Sequence, residues 1–257
     1  MPAEPRLDWP LFSRSASVVL TEAGLAVPTR AALPELIEPT PTAGPEPGSK
    51  PEPTAGSKPE PGSKPEPEPV DDVGEPLVAI EHRRIRVLSN YWHSGWRHAR
   101  PNARLRARAA ERLYAVADAL PDRWGLAVYD AYRPLALQHE LFQAAYANPD
   151  LPPGFVAEPS TAPATPPPHL TGGAVDLTLT VDGTPLALGT DFDAFTSDTA
   201  AMALEDTPGP DRELRRMLYW AMRAQGFVLL TFEWWHFEYG TGRWAAITGQ
   251  KVRYGPT

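Results

Sequence analysis

A chain of 257 residues, 42% of them hydrophobic, has enough material for one large domain or two small ones with a sizeable core. Its net charge of −8 and sequence pI near 5.3 argue against nucleic acid or anionic membrane as a general partner. Cysteine is absent, which excludes disulfides and thiolate metal sites, so any metal must sit on His, Asp and Glu.

No run approaches the ~20 apolar residues of a membrane span. The opening "MPAEPRLDWPLF" lacks the basic start and apolar stretch of a secretion signal, so a cytoplasmic location is expected. Residues 1–38 hold short strand-like pieces such as "SVVL" (Ser17–Leu20) but no core of their own. They are read as an N-terminal arm that packs on the main domain. From Pro39 to Pro69, eleven of thirty-one residues are proline, and "GSKPEP" occurs three times, starting at Gly48, Gly56 and Gly62. With no sizeable apolar side chain to offset its ordering entropy, the segment 39–69 is read as a disordered, extended linker or inserted loop.

The pattern becomes globular over residues 70–257. After "RPN", the stretch "ARLRARAAERLYAVADALPD" places Leu105, Ala109, Leu113, Val116 and Leu120 at helical spacing, and Pro121 stops it. "GLAVYDA" (Gly125–Ala131) reads as a strand. "PLALQHELFQAAY" reads as a helix with Pro134 in its first turn. "AVDLTLT" (Ala174–Thr180) alternates like a half-buried strand. "DRELRRMLYWAMRAQGF" is a helix ended by Gly226, and "FVLLTFEWWHFEY" reads as a closing strand. Helices and strands mix without a regular βαβ repeat, so the expected class is α+β. The expected architecture is a single domain whose central, mostly antiparallel sheet is flanked by helices.

Six histidines are available, at positions 82, 93, 98, 139, 169 and 236. His82 and His139 sit among charged, surface-type residues and are expected to be solvated. His93 and His98 flank "SGWR" at a spacing that suits neither a helix face nor a strand face. His169 stands after a proline run and before Gly172 and Gly173, with Asp176 seven residues on. A Gly-Gly turn lets the backbone fold sharply and approach closely, so the two side chains can converge. Taken alone, either residue is better explained as a loop-capping imidazole or an amide-bonded carboxylate. His236 supplies what the pair lacks: two imidazoles and a carboxylate are a catalytic zinc set that leaves a fourth position for water. Glu233 then remains as a base. In a straight strand positions i and i+3 face opposite ways, so a bulge or turn is required at Trp234–Trp235. In "VYDAYRP", Arg133 ends a strand where it can meet charge on a carbonyl oxygen, with pairing to Asp130 the plainer alternative.

Taken together, "YDAYRP", "HLTGGAVDLTL", "GTDFD" and "EWWHFE", in this order and spacing, resemble the D-alanyl-D-alanine dipeptidase family of zinc peptidases, a group related to D-Ala-D-Ala carboxypeptidases and the hedgehog signalling domain. The resemblance runs from about Glu75 to the C-terminus. It implies His169, Asp176 and His236 as ligands to one zinc, Glu233 as catalytic base and Arg133 as transition-state stabiliser. It also implies that Asp193 holds the substrate's free amino group, with Asp191 two residues away as the competing choice. The family usually has Ser-x-His at the first ligand, whereas here Pro167 occupies the first position of that triplet; the departure bears on dipeptide specificity. The implied partner is a small dipeptide, not nucleic acid or membrane, and oligomeric state is unspecified. The alternatives are a peptidoglycan carboxypeptidase or endopeptidase, and a zinc-binding interaction domain without catalysis.

Overall fold

The strand from Ala174 to Val181 organises the molecule, because all eight of its residues are buried and it is paired along both edges. The structure is a computed structural model that describes residues 13–36, 74–149, 156–162, 166–194 and 196–257. The proline-rich stretch 39–69 lies outside the described residues. In chain order the elements are β1 (Arg14–Ser15), α1 (Ala16–Ala23), β2 (Leu77–Ala79), β3 (Ile85–Val87) and α2 (Asn90–His93). Then come β4 (Arg104–Arg106), α3 (Ala107–Ala119), β5 (Trp124–Asp130), α4 (Leu135–Ala145), β6 (Ala174–Val181) and β7 (Thr184–Ala187). The last are α5 (Pro210–Ala224), β8 (Val228–Leu229), β9 (His236–Glu238) and α6 (Gly242–Thr248). No described helix is long and apolar enough to cross a membrane.

Strand β5 lies antiparallel along one edge of β6. The other edge is shared: β7 pairs with its C-terminal end at Thr180 and Val181, and β9 with its N-terminal end from Ala174 to Asp176. Strand β8 extends β9 in antiparallel fashion, whereas β3 on β5 and β1 on β7 are parallel. The centre of the sheet is therefore antiparallel, helices flank it, and the class is α+β. A small antiparallel pair, β2 with β4, stands apart.

Three local readings are corrected. Ser17–Leu20 is helical, within α1: Ala16, Val19 and Leu20 recur at helical spacing and are all buried, which outweighs the β-propensity of the valines. Residues 13–36 contribute to the common core through these side chains and Leu33, and Trp220 Nε1 donates to the Ala31 carbonyl (2.9 Å). Helix α3 starts only at Ala107, because Arg104–Arg106 pairs with β2. Strand β6 has no solvated face. Thr178 and Thr180 are buried, and the Thr178 hydroxyl donates to the Leu186 carbonyl at 2.7 Å, which removes the cost of enclosing it.

The closing segment is also two strands, not one. A turn over Thr231–Trp235 separates β8 from β9, which pair Leu229 with Phe237. The buried indoles of Trp234 and Trp235 anchor the turn, and Trp234 Nε1 donates to the Thr190 hydroxyl at 2.8 Å.

Candidate active site

Register across the sheet sets the site. Asp130 of β5 lies opposite Asp176 of β6, which lies opposite His236 of β9. Directly opposed residues share a face, so the three side chains form one row. The β5 register shifts between Val128 and Asp130, an irregularity of the kind that re-aims side chains beside active sites.

His169 comes from a short 3-10 turn, Pro168–Thr171, that runs into β6. Gly172 follows with φ of +73°, and Gly173 lies so close to β9 that a Cβ there would stand 2.5 Å from the Tyr239 carbonyl oxygen. The two glycines thus do different work: one makes the turn, the other permits the backbone approach. The turn is closed by Thr171, whose hydroxyl donates to the Pro168 carbonyl (2.6 Å) and accepts from the Gly173 amide (3.0 Å).

Hydrogen bonds on the far side of each imidazole determine its tautomer. His169 Nδ1 donates to the Ala131 carbonyl at 2.6 Å, and His236 Nε2 donates to the Glu238 carboxylate at 3.1 Å. The lone pairs of His169 Nε2 and His236 Nδ1 therefore face inward, 3.2 Å apart. Asp176 completes the triangle, 3.2 Å from His169 Nε2 and 2.9 Å from His236 Nδ1. At zinc–ligand distances of about 2.0–2.2 Å, two ligands of a tetrahedral ion stand roughly 3.3–3.6 Å apart. The triangle is close to that edge length, and all three residues are buried, so the donor set fits zinc.

The surrounding charge also fits. A cavity of about 430 Å³ is lined by four carboxylates (Asp176, Asp193, Glu233, Glu238) and two guanidinium groups (Arg133, Arg243), an acidic excess that favours a bound cation. Burial alone would raise the Asp176 carboxyl, but when His169 and His236 are protonated their charge and hydrogen bonds hold it well below the usual carboxylate range.

Glu233 sits in the turn before β9, with Oε2 3.8 Å from His236 Nδ1. The turn removes the opposite-face problem of the i, i+3 pair: Glu233 is outside the strand, and its carbonyl accepts from the His236 amide at 3.3 Å. Burial pushes its carboxyl up, and the charge of Asp176 adds to this while His236 opposes it.

Arg133 is buried at the start of α4. Its Nε donates to Asp130 Oδ2 (2.8 Å), Nη1 to Gln138 Oε1 (2.9 Å) and Nη2 to the Tyr91 hydroxyl (3.1 Å). Nη2 also stands 3.8 Å from Asp176, so one prong of the fork faces the triangle. The two sequence readings of Arg133, a pair with Asp130 and a group facing the reaction centre, are compatible.

Asp193 lines the cavity in a left-handed backbone conformation (φ +54°), and its Oδ2 accepts from the Tyr91 hydroxyl at 2.9 Å. Burial, with the charges of Glu233 and Asp176, pushes its carboxyl well above the usual range, against the opposing pull of Arg133 and Tyr91. Asp191 is exposed and does not line the cavity. Pro167 does line it, beside His169. Trp96, Leu141, Val156 and Phe232 supply apolar wall.

The remaining histidines are elsewhere. His93, His98 and His139 are exposed, and His98 pairs with Glu140 at 3.0 Å. His82 is half-buried, not solvated: it stacks on Tyr114 and lies 3.3 Å from Asp118. Sequence reasoning missed Glu238 and Tyr91. Glu238 was findable, because two residues beyond His236 in a strand is the same face. Tyr91 carries no comparable signal, since only the fold brings it to the cavity.

Comparison with known proteins identifies the family. The profile of the Peptidase_M15 family, described as D-ala-D-ala dipeptidase, matches residues 104–248. A D-alanyl-D-alanine dipeptidase of Synechocystis sp. is 28% identical over 216 residues, covering 69% of this chain and 87% of that protein. A D-alanyl-D-alanine dipeptidase of Escherichia coli is 37% identical over 114 residues, 44% of this chain and 54% of that protein. A crystal structure of a mutant vancomycin resistance D,D-pentapeptidase, VanY, in complex with Zn(II), is 20% identical, with a TM-score of 0.36 over 59% of this chain and 83% of that one. With its zinc-type donor triangle and a profile match over more than half of its length, this chain belongs to the D-ala-D-ala dipeptidase family of zinc metallopeptidases.

Proposed function

We propose that the chain is a zinc-dependent dipeptidase that hydrolyses D-alanyl-D-alanine or a similar small dipeptide. The observation that carries this reading is the donor triangle of His169, Asp176 and His236 with the Glu233 carboxylate 3.8 Å from one of its nitrogens. Bound there, zinc supplies Lewis-acid polarisation and lowers the pKa of water from about 16 toward roughly 7. Glu233 takes the proton of the attacking water and passes it to the leaving amine nitrogen, and such a positioned group contributes about 10²–10⁴-fold. The Arg133 fork offers Nη2 to the developing oxyanion; one donor of this kind is worth about 2.7–4 kcal/mol. Asp193 receives the free ammonium group, which selects dipeptides over longer chains. The two carboxylates thus divide the work, one binding charge and one moving a proton.

The reading extends to a cytoplasmic site of action on cell-wall peptides, which fractionation of host cells would check. Its central test is Glu233→Ala with zinc content measured on the same sample. Hydrolysis of D-Ala-D-Ala is expected to fall by two orders of magnitude or more with zinc retained. Turnover near the parent rate would exclude Glu233 as the base. Wild-type protein that cleaves a stem pentapeptide but not the free dipeptide would replace dipeptidase by carboxypeptidase.

A further inference from the structure

Two groups with separate duties, Asp193 at the amino end of the substrate and Arg133 at the carbonyl, meet at one phenol. The Tyr91 hydroxyl accepts from Arg133 Nη2 at 3.1 Å and donates to Asp193 Oδ2 at 2.9 Å. The polarity runs one way, from cation through hydroxyl to carboxylate, so each hydrogen bond is charge-assisted and each strengthens the other. We propose that Tyr91 is a positioning residue that couples recognition of the free amino group to stabilisation of the oxyanion. The inference rests on the dipeptidase reading above and concerns the same site.

Three features make Tyr91 suited to this. First, its ring is fixed: it is 5% exposed, with Trp96 edge-on at 6.5 Å, Phe192 at 6.0 Å and the Arg133 guanidinium 5.0 Å from the ring centroid. Second, the Asp193 side chain depends on it. Asp193 stands in a loop at positive φ, outside any helix or strand, and the bond from Tyr91 is the only hydrogen bond to its carboxylate among the described residues. A left-handed aspartate costs backbone energy that neighbouring contacts must offset, and this bond is one of them. Third, the Arg133 donor it touches is the relevant one. Nε and Nη1 are engaged by Asp130 and Gln138, whereas Nη2, shared with Tyr91, is the prong that faces Asp176 at 3.8 Å.

Phe192 extends the link. It is adjacent to Asp193 in the chain, packs edge-on to Tyr91 and stacks on Tyr129 at 4.6 Å, so the loop carrying Asp193 is keyed to the same aromatic cluster. Removing only the hydroxyl leaves that cluster intact. The loss then falls on the alignment of Asp193 and Arg133, not on packing.

The test is Tyr91→Phe, Asp193→Asn and the double variant in the full-length zinc-loaded protein, with kcat and KM for D-Ala-D-Ala and the thermal midpoint measured for each. Losing one hydrogen bond to a charged group should raise KM of Tyr91→Phe about 10-fold or more and lower kcat several-fold, with the midpoint lower by only a few degrees. Because Tyr91 acts on KM through Asp193, the double variant is expected to show a KM no higher than Asp193→Asn alone. Inhibition by N-propionyl-D-alanine, which lacks the amino group, supplies a readout independent of turnover: its affinity should be the same for parent and Tyr91→Phe. Multiplicative KM effects, equal weakening of the dipeptide and the des-amino analogue, or unchanged KM in Tyr91→Phe would each overturn the coupling while leaving an active dipeptidase in place. A wild-type protein inert to dipeptides would overturn both readings.

Discussion

Glu238 offers the sharpest test of how the fold builds the metal site. It is wholly buried and accepts from His236 Nε2 (3.1 Å), from Arg243 Nε (3.0 Å) and from the Thr241 hydroxyl. Glu238→Ala removes the acceptor that holds His236 in the tautomer with Nδ1 inward. Loss of such an outer partner typically costs 10–100-fold in metal affinity, or about 1.4–2.8 kcal/mol. It also takes one acceptor away from the Thr241 hydroxyl and from the Arg243 guanidinium. Arg243 keeps 24% of its side-chain surface in solvent and can rehydrate, so the folding penalty is expected near 1–3 kcal/mol, below the 3–5 kcal/mol of a fully buried broken pair. Zinc affinity would be measured by competition with a chromophoric chelator, alongside thermal unfolding of the metal-stripped proteins. Glu238→Gln keeps a carbonyl acceptor for His236 and should lie within several-fold of the parent. If folded Glu238→Ala binds zinc as tightly as the parent, the tautomer argument is wrong.

Two further outcomes follow from the geometry. Gly173→Ala would place a Cβ 2.5 Å from a backbone oxygen that cannot step aside, so calorimetry should show a loss of about 1–3 kcal/mol and a midpoint lower by several degrees. The raised Asp193 carboxyl, enclosed beside Glu233 and Asp176 with Arg133 and Tyr91 opposing, binds ammonium only when ionised. KM for the dipeptide should therefore climb as pH falls through a value above the ordinary aspartate pKa of about 3.9, and Asp193→Asn should flatten that limb of the profile; a limb that persists unchanged would assign it to another group.

The donor residues were legible because the chemistry of zinc restricts them to few residue types, and this chain has six histidines and no cysteine. The glycine pair and the aromatic Glu-x-x-His segment each announced an irregular backbone beside a polar group, and an irregular backbone is what the structure has there. Where reading went astray, the cause was a local pattern overruled by long-range packing. The valines of "SVVL" favour a strand in isolation, yet Val19 joins Ala16 and Leu20 at helical spacing to bury one face of α1, while Val18 is exposed. The alternation in "AVDLTLT" suggests a solvated face, yet the threonines are enclosed and bonded internally.

Composition and spacing thus determined the metal chemistry, the candidate ligands and the mixed class of the fold, since each depends on which side chains exist and how far apart they stand along the chain. Only tertiary structure decided the rest. Strand register aligned Asp130, Asp176 and His236 in one row, the fork in the sheet brought β9 to the N-terminal end of β6, and folding carried Tyr91 across about a hundred residues to Asp193. These are contacts between segments remote in sequence, formed only when the core is buried, so no local pattern in the chain records them.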